Sequence, residues 1–321
     1  MKRILSPLLA LALAALLCAC APKTDVPAPA AEQPEAPAAL PSPALDTPDT
    51  SDSQPQPLPD GIYTQDGTAR YYQDGAPAAA SGLTELDGMT LYFQPDGSLY
   101  RFTRGVNDCG GLLYYHTGED GYSLLSPASG LYDDGEALYF VQDDASLLTD
   151  GADGYLTFGP DGRYTSGSDE LDGQIAQLLA LSCPDADADA GTRLELVYDY
   201  IRDHYTYLSM AHYDAGTTDW AQEAALLFLR QGKGNCYGYA AAFMYCARRL
   251  GRQAYVVAGH ESRPDNDHAW TMIDEDGVSW LYDVQLEYAY LYVFDKGEID
   301  VFHVQESDGL YNGFQYFFPE A

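Results

Sequence analysis

The chain has 321 residues, 46% of them hydrophobic, with 16 Lys and Arg against 49 Asp and Glu and a formal net charge of -33. That length holds one large folded unit or two small ones with tails. So acidic a chain excludes nucleic acid and anionic membrane surfaces as partners, which need clustered cations. The charge fits the solubility of an exported protein.

Lys2 and Arg3 open the chain, and Ile4 to Leu17 is a largely apolar run too short to cross a bilayer as a stable helix. Leu17-Cys18-Ala19-Cys20 follows. It resembles the bacterial lipobox, in which a small residue precedes the cysteine that takes the lipid. The resemblance implies a lipoprotein signal peptide over residues 1–19 and lipidation of Cys20, since Ala19 fits that position and Leu17, before Cys18, does not. The mature protein is then extracytoplasmic, anchored to the membrane at the cell surface. An ordinary secretory signal cleaved nearby is the alternative.

Residues 20–60 read as a disordered linker. Eleven of the nineteen prolines lie between Ala21 and Asp60, with Ala, Ser, Thr, Gln and Asp between them. Such a segment buries too little apolar surface to order itself and is extended where proline-rich, at roughly 3 Å per residue.

From residue 61 to 168 five aromatic or apolar cores recur about every twenty residues: Arg70 to Gly75, Leu91 to Gly97, Leu113 to His116, Leu138 to Val141 and Tyr155 to Gly162. Aromatic residues favour strands and Asp-Gly favours tight turns, so the pattern predicts a row of stacked β-hairpins. It resembles the cell-wall-binding and glucan-binding repeats of Gram-positive surface proteins, and the resemblance implies cell-wall glycan as a partner. The related choline-binding repeats build their cages with tryptophan. Here Trp220, Trp270 and Trp280 all lie outside the repeats. The tyrosines either pack hairpin on hairpin or meet a wall ligand.

Residues 169–321 change period. Leu171 to Leu181, Arg193 to Leu208 and Trp220 to Arg230 predict helices, the second with Leu194, Val197, Ile201 and Tyr205 on one stripe. Asp185 to Gly191 has the look of a calcium loop, yet Ala190 and Leu196 stand where an EF-hand needs glycine and a bidentate glutamate. These acids instead suit a helix N-terminus.

Gly232-Lys233-Gly234-Asn235-Cys236 then leads into Ala240, Phe243, Met244, Ala247 and Leu250 at helical spacing, closed by Gly251. Cys236 therefore opens a buried helix. The partial positive charge and free N–H groups there stabilise a thiolate and can bind an oxyanion. Gln253 to Ala258 predicts a strand, Gly259 to Asn266 a polar loop, and Asp267 to Ile273 and Val278 to Val284 a hairpin. If Glu275-Asp276 is its two-residue turn, His268 and Asp283 are directly opposed. If Asp276-Gly277 is the turn, they are diagonal neighbours on one face. A three-residue turn puts them on opposite faces.

Of the six cysteines, Cys236 and Cys246 share one helix about 15 Å apart and cannot bridge. A Cys109–Cys183 bridge stays open. No spacing suggests a metal site, and no cofactor is expected.

Gly-x-Cys opening a helix, His268-Ala269-Trp270 on one strand and Asp283 at the next resemble the transglutaminase-like superfamily over about Arg193 to Tyr290. The resemblance implies an α+β fold, a papain-like core of helices packed on an antiparallel sheet behind the all-β hairpin-repeat region. It implies Cys236 as nucleophile, His268 as general base and acid, and Asp283 as the carboxylate that orients the imidazole. The expected function is a cell-surface acyl-transfer enzyme on peptide or protein amides, either peptidase/amidase or transglutaminase. The alternative is a non-catalytic wall-binding or adhesion lipoprotein on the same scaffold.

Overall fold

Asp-Gly and Gly-Gly pairs set the architecture of the first half, because a type I′ hairpin turn needs left-handed backbone at both central positions. Asp66-Gly67 and Asp87-Gly88 adopt it, as does Gly110-Gly111. The computed structural model of the chain describes residues 58–317 other than 186, 211, 215, 218, 262–265, 298, 306–309 and 312–313. Cys20 and the linker as far as residue 57 lie outside the described residues.

Five antiparallel hairpins follow one another: β1 (Gly61–Gln65) with β2 (Thr68–Gln73) and a short β3 (Ala76–Pro77), β4 (Gly82–Leu86) with β5 (Met89–Phe93), β6 (Gly105–Cys109) with β7 (Leu112–His116), β8 (Gly130–Asp133) with β9 (Leu138–Val141), and β10 (Gly151–Asp153) with β11 (Leu156–Phe158). Each expected aromatic core is the second strand of its hairpin. Bridges such as Tyr114↔Ser146 and Tyr139↔Arg163 lace one hairpin to the segment after the next. Tyr71, Tyr114, Tyr115 and Tyr139 are buried in this stack. Tyr115 meets Tyr132 and Tyr139 at centroid distances of 4.9 and 5.1 Å.

The helical half begins at α1 (Asp169–Ser182), capped by Ser168. α2 (Ala190–His204) is capped by Asp189, whose carboxylate accepts from Gly191 N at 2.9 Å and Thr192 N at 3.0 Å, so the acidic run serves a helix start. α2 stops four residues short of the expected Leu208, because β12 (Thr206–Tyr207) leaves the helix to pair in parallel with β13 (Lys233–Gly234). α3 (Ala221–Gln231) and α4 (Cys236–Arg249) follow.

Next come β14 (Gln253–Glu261), β15 (Asp267–Glu275), β16 (Val278–Tyr282), α5 (Val284–Tyr288), a π-helical turn (Ala289–Val293), β17 (Val304–Gln305), β18 (Leu310–Tyr311) and β19 (Phe314–Phe317). The strands form an antiparallel sheet in the order β17-β16-β15-β14-β19-β18. α4 is buried from Cys236 to Ala247, and the main core lies between it, α1 to α3 and one face of the sheet. This is the expected α+β arrangement of helices on an antiparallel sheet behind an all-β region.

The last two hairpins do not stand apart from the helices. Gln253 Oε1 accepts from Tyr155 N at 2.7 Å, Tyr155 packs on Tyr255 at 5.1 Å, and Arg249 reaches Asp133 at 3.0 Å. Tyr164 is buried. Hairpins and helices belong to one compact unit. Among the described residues no helix is long and apolar enough to cross a membrane.

Candidate active site

The Cys236 turn is shaped by one aromatic ring. α3 ends at Gly232 in left-handed conformation, β13 follows, Asn235 supplies an extended cap, and Cys236 is the first helical residue. A Cβ at Gly234 would lie 2.8 Å from Cδ2 of Phe228, and one at Gly238 would lie 2.8 Å from the same atom. The Phe228 ring occupies the space that both glycines leave. Cys236 is 3% exposed at the positive end of the α4 dipole.

The strand carrying His268 is pinned to that helix. Thr271, fully buried on β15, donates its hydroxyl to Ala240 O at 2.8 Å. Asp276 and Gly277, with φ of 50° and 79°, form the turn between β15 and β16, and pairing runs from Glu275↔Val278 to Thr271↔Tyr282. Of the registers open from sequence this is the one that makes Asp283 a diagonal neighbour of His268. β16 ends at Tyr282 rather than Val284, and Asp283 turns away to cap α5, its Oδ1 accepting from Leu286 N at 3.0 Å. Its Oδ2 lies 2.6 Å from His268 Nε2.

His268 and Asp283 are 5% and 1% exposed. Burial opposes a charge on the ring. The charge and hydrogen bond of Asp283, then the hydrogen bond and charge of Cys236, outweigh it and raise the His268 pKa well above the ordinary histidine value. With Nε2 committed to the carboxylate, Nδ1 is the nitrogen left for the thiol. The structure brings Cys236, His268 and Asp283 together, and a thiol, a base and an orienting carboxylate so linked can perform nucleophilic acyl transfer.

Two tyrosines near the site carry no motif. Tyr207 pairs with Gly234 across β12 and β13, and burial, followed by the charge of Cys236, raises its phenol pKa. Its sequence signal, Tyr205-Thr206-Tyr207, reads as the end of a helix. Tyr316 donates its hydroxyl to Asp283 Oδ2 at 2.8 Å from a strand that nothing in the sequence links to the triad.

The remaining thiols are remote in chemistry. Burial pushes Cys246 far up, and burial followed by Asp108 pushes Cys109 up to about 12. Cys109 and Cys183 are free, so the bridge left open by the sequence is not formed. Trp270 is core, and Trp280 stacks on His303 at 3.8 Å. Among the described residues no group of His, Cys, Asp or Glu is arranged to hold a metal.

A cysteine opening a helix, with a histidine and an aspartate on the adjoining antiparallel sheet, is the papain-like arrangement. The chain carries a transglutaminase-like domain: the model of the transglutaminase-like superfamily matches residues 180–282, about a third of the chain. A repeat region precedes it. No curated protein matches the chain.

Among solved structures, choline binding protein F of Streptococcus pneumoniae is similar at 14% identity over 34% of this chain and 34% of that one, with a TM-score of 0.24. A transglutaminase is similar at 18% identity over 44% and 38%, with a TM-score of 0.31. The periplasmic domain of TgpA from Pseudomonas aeruginosa, bound to ethylmercury, is similar at 14% identity over 63% and 73%, with a TM-score of 0.27. The chain spans about a third of the length of the first choline-binding structures it matches.

Proposed function

We propose that the chain is an extracytoplasmic cysteine enzyme that transfers acyl groups from peptide or protein amides through a thioester. The observation that carries this reading is the buried line from the Cys236 thiol through His268 to Asp283, with His268 Nε2 2.6 Å from the carboxylate. The Cys236 sulfur attacks the amide carbonyl, and its proton rests on His268. The oxyanion is met by the Cys236 N–H at the start of α4, and Tyr207, whose strand pairs with Gly234 two residues before the nucleophile, is the proposed second donor. Collapse breaks the C–N bond, His268 returns the proton to the leaving amine, and the acyl group remains on sulfur. Attack by water makes the enzyme a peptidase or amidase. Attack by a second amine makes it a transglutaminase.

Lipidation of Cys20 and a linker of residues 20–60 would hold this domain at the cell surface, and the hairpins would meet cell-wall glycan. These readings rest on Ala19-Cys20, on the prolines and on the tyrosine-rich strands. Labelling of Cys236 by a thiol reagent near neutral pH tests the enzyme reading. Fast labelling, lost in His268→Ala, is expected, whereas labelling as slow as that of a buried thiol argues for the adhesion alternative.

A further inference from the structure

Three donors converge on Asp283. Leu286 N takes Oδ1 at 3.0 Å and fixes the carboxylate as the cap of α5. His268 Nε2 and the Tyr316 hydroxyl share Oδ2, at 2.6 and 2.8 Å. Tyr316 arrives on β19, whose pairing with the edge of β14 sets Tyr316 opposite Glu261. Its ring is buried edge-on to Trp270 at 5.0 Å, and lies 6.4 Å from the His268 ring.

We infer that Tyr316 is a positioning residue of the acyl-transfer site, setting the direction and the basicity of the Asp283 oxygen that holds His268. The inference rests on the reading of Cys236 as nucleophile. A carboxylate oxygen that accepts two hydrogen bonds gives up part of its charge to each. The Tyr316 hydroxyl therefore keeps the proton on His268 Nε2 rather than on Asp283, and limits how far the carboxylate stabilises the imidazolium. It also stops the carboxylate from turning about its own axis, which the Leu286 bond alone does not. The hydroxyl is a permanent donor. Burial, then the charges of Asp283, Glu261 and Glu287, raise its pKa well above the ordinary tyrosine value.

The other ionisable groups around this pocket have partners of their own, and burial raises the Glu287 pKa. Glu287 of α5 meets Arg202 of α2 at 3.0 Å and accepts from Val301 N at 2.7 Å. Tyr198 of α2 is fully buried beside Glu287 and Asp283, and its pKa is likewise raised by burial and then by those charges. Glu261 of β14 holds Asn266 Nδ2 at 3.0 Å. Cys236 of α4 is hydrogen-bonded to His268.

Tyr316→Phe removes the hydroxyl and keeps the ring against Trp270. In the full chain, turnover of an amide substrate and alkylation of Cys236 by iodoacetamide are followed against pH, with the melting temperature as control. Turnover should fall by about tenfold or more, as for loss of a hydrogen bond to a charged group. The bell should widen as its height falls, because a more basic Asp283 stabilises the thiolate–imidazolium pair at both limbs. Incorporation of 3-fluorotyrosine at position 316, a stronger donor of the same shape, should narrow the bell. It serves equally if the Phe variant does not fold. A merely structural role would lower the height and leave both limbs in place. A parent protein with an acid inflection in Cys236 alkylation, and variants with limbs unmoved, would overturn this inference alone. A parent protein with no such inflection removes the nucleophile reading and this one with it.

Discussion

At the scale of single residues, the site is a chain of proton positions, and each link has its own expected cost. Cys236→Ala should abolish acylation, and His268→Ala should be nearly as damaging, since the proposed mechanism uses His268 for both the thiolate and the leaving amine. Asp283→Asn should cost orders of magnitude; the comparable change in a serine triad costs about ten-thousand-fold. Tyr207→Phe should lower kcat by about a hundredfold to a thousandfold, the usual loss for one oxyanion donor, with little change in KM. Steady-state kinetics on each variant checks all four, with circular dichroism to confirm the fold. The raised His268 pKa also bears on stability. A group whose pKa rises on folding stabilises the fold fully below its unfolded value, about 6.5, and the gain disappears as pH climbs through the higher folded value. The parent should therefore lose melting temperature on the alkaline side, and His268→Gln should flatten that slope. Cys236 and His268 are legible in sequence because each sits in a local pattern, a glycine turn into a helix and His-Ala-Trp on a strand. Tyr316 is not, because its partner lies 33 residues away and a lone tyrosine carries no signal.

At the scale of elements, the geometry depends on two fits. The first is the Phe228 ring under Gly234 and Gly238. Gly234→Ala should force the ring or the turn to move, at about 1–3 kcal/mol for overpacking. A chemical denaturation curve would show it, with turnover falling more than stability because Cys236 moves with the turn. The second is the Thr271 hydrogen bond from β15 to α4. Thr271→Val keeps the volume and leaves Ala240 O without this donor, at about 1 kcal/mol or somewhat more. Sequence reasoning reached the His268–Asp283 contact through the hairpin but left its register open. The choice falls to Asp276-Gly277 because the positive φ of both residues suits aspartate and glycine, whereas Glu275-Asp276 would put a long side chain in that conformation. That β16 stops at Tyr282 was not legible, since Val284 continues the alternation and only the capping of Leu286 by Asp283 ends the strand.

At the scale of the whole molecule, the hairpins were readable from their turn residues and period, and their attachment to the helices was not, because it runs through side chains without any pattern. Gln253 on Tyr155, Arg249 on Asp133 and the buried Tyr164 tie the last two hairpins to α4 and β14. A chain beginning at Asp169 should therefore melt well below one beginning at Gly130, which keeps β8 to β11; equal melting temperatures would show that the contacts contribute nothing. The central claim concerns the intact protein: that Cys236 carries the acyl group. The full chain is mixed with an activated ester such as p-nitrophenyl acetate, quenched in acid and measured by mass spectrometry with peptide mapping. One acetyl group on Cys236, absent from Cys236→Ala and removed by hydroxylamine or by an added amine, is the predicted result. An unacylated parent, or the same acetylation in Cys236→Ala, would contradict the account.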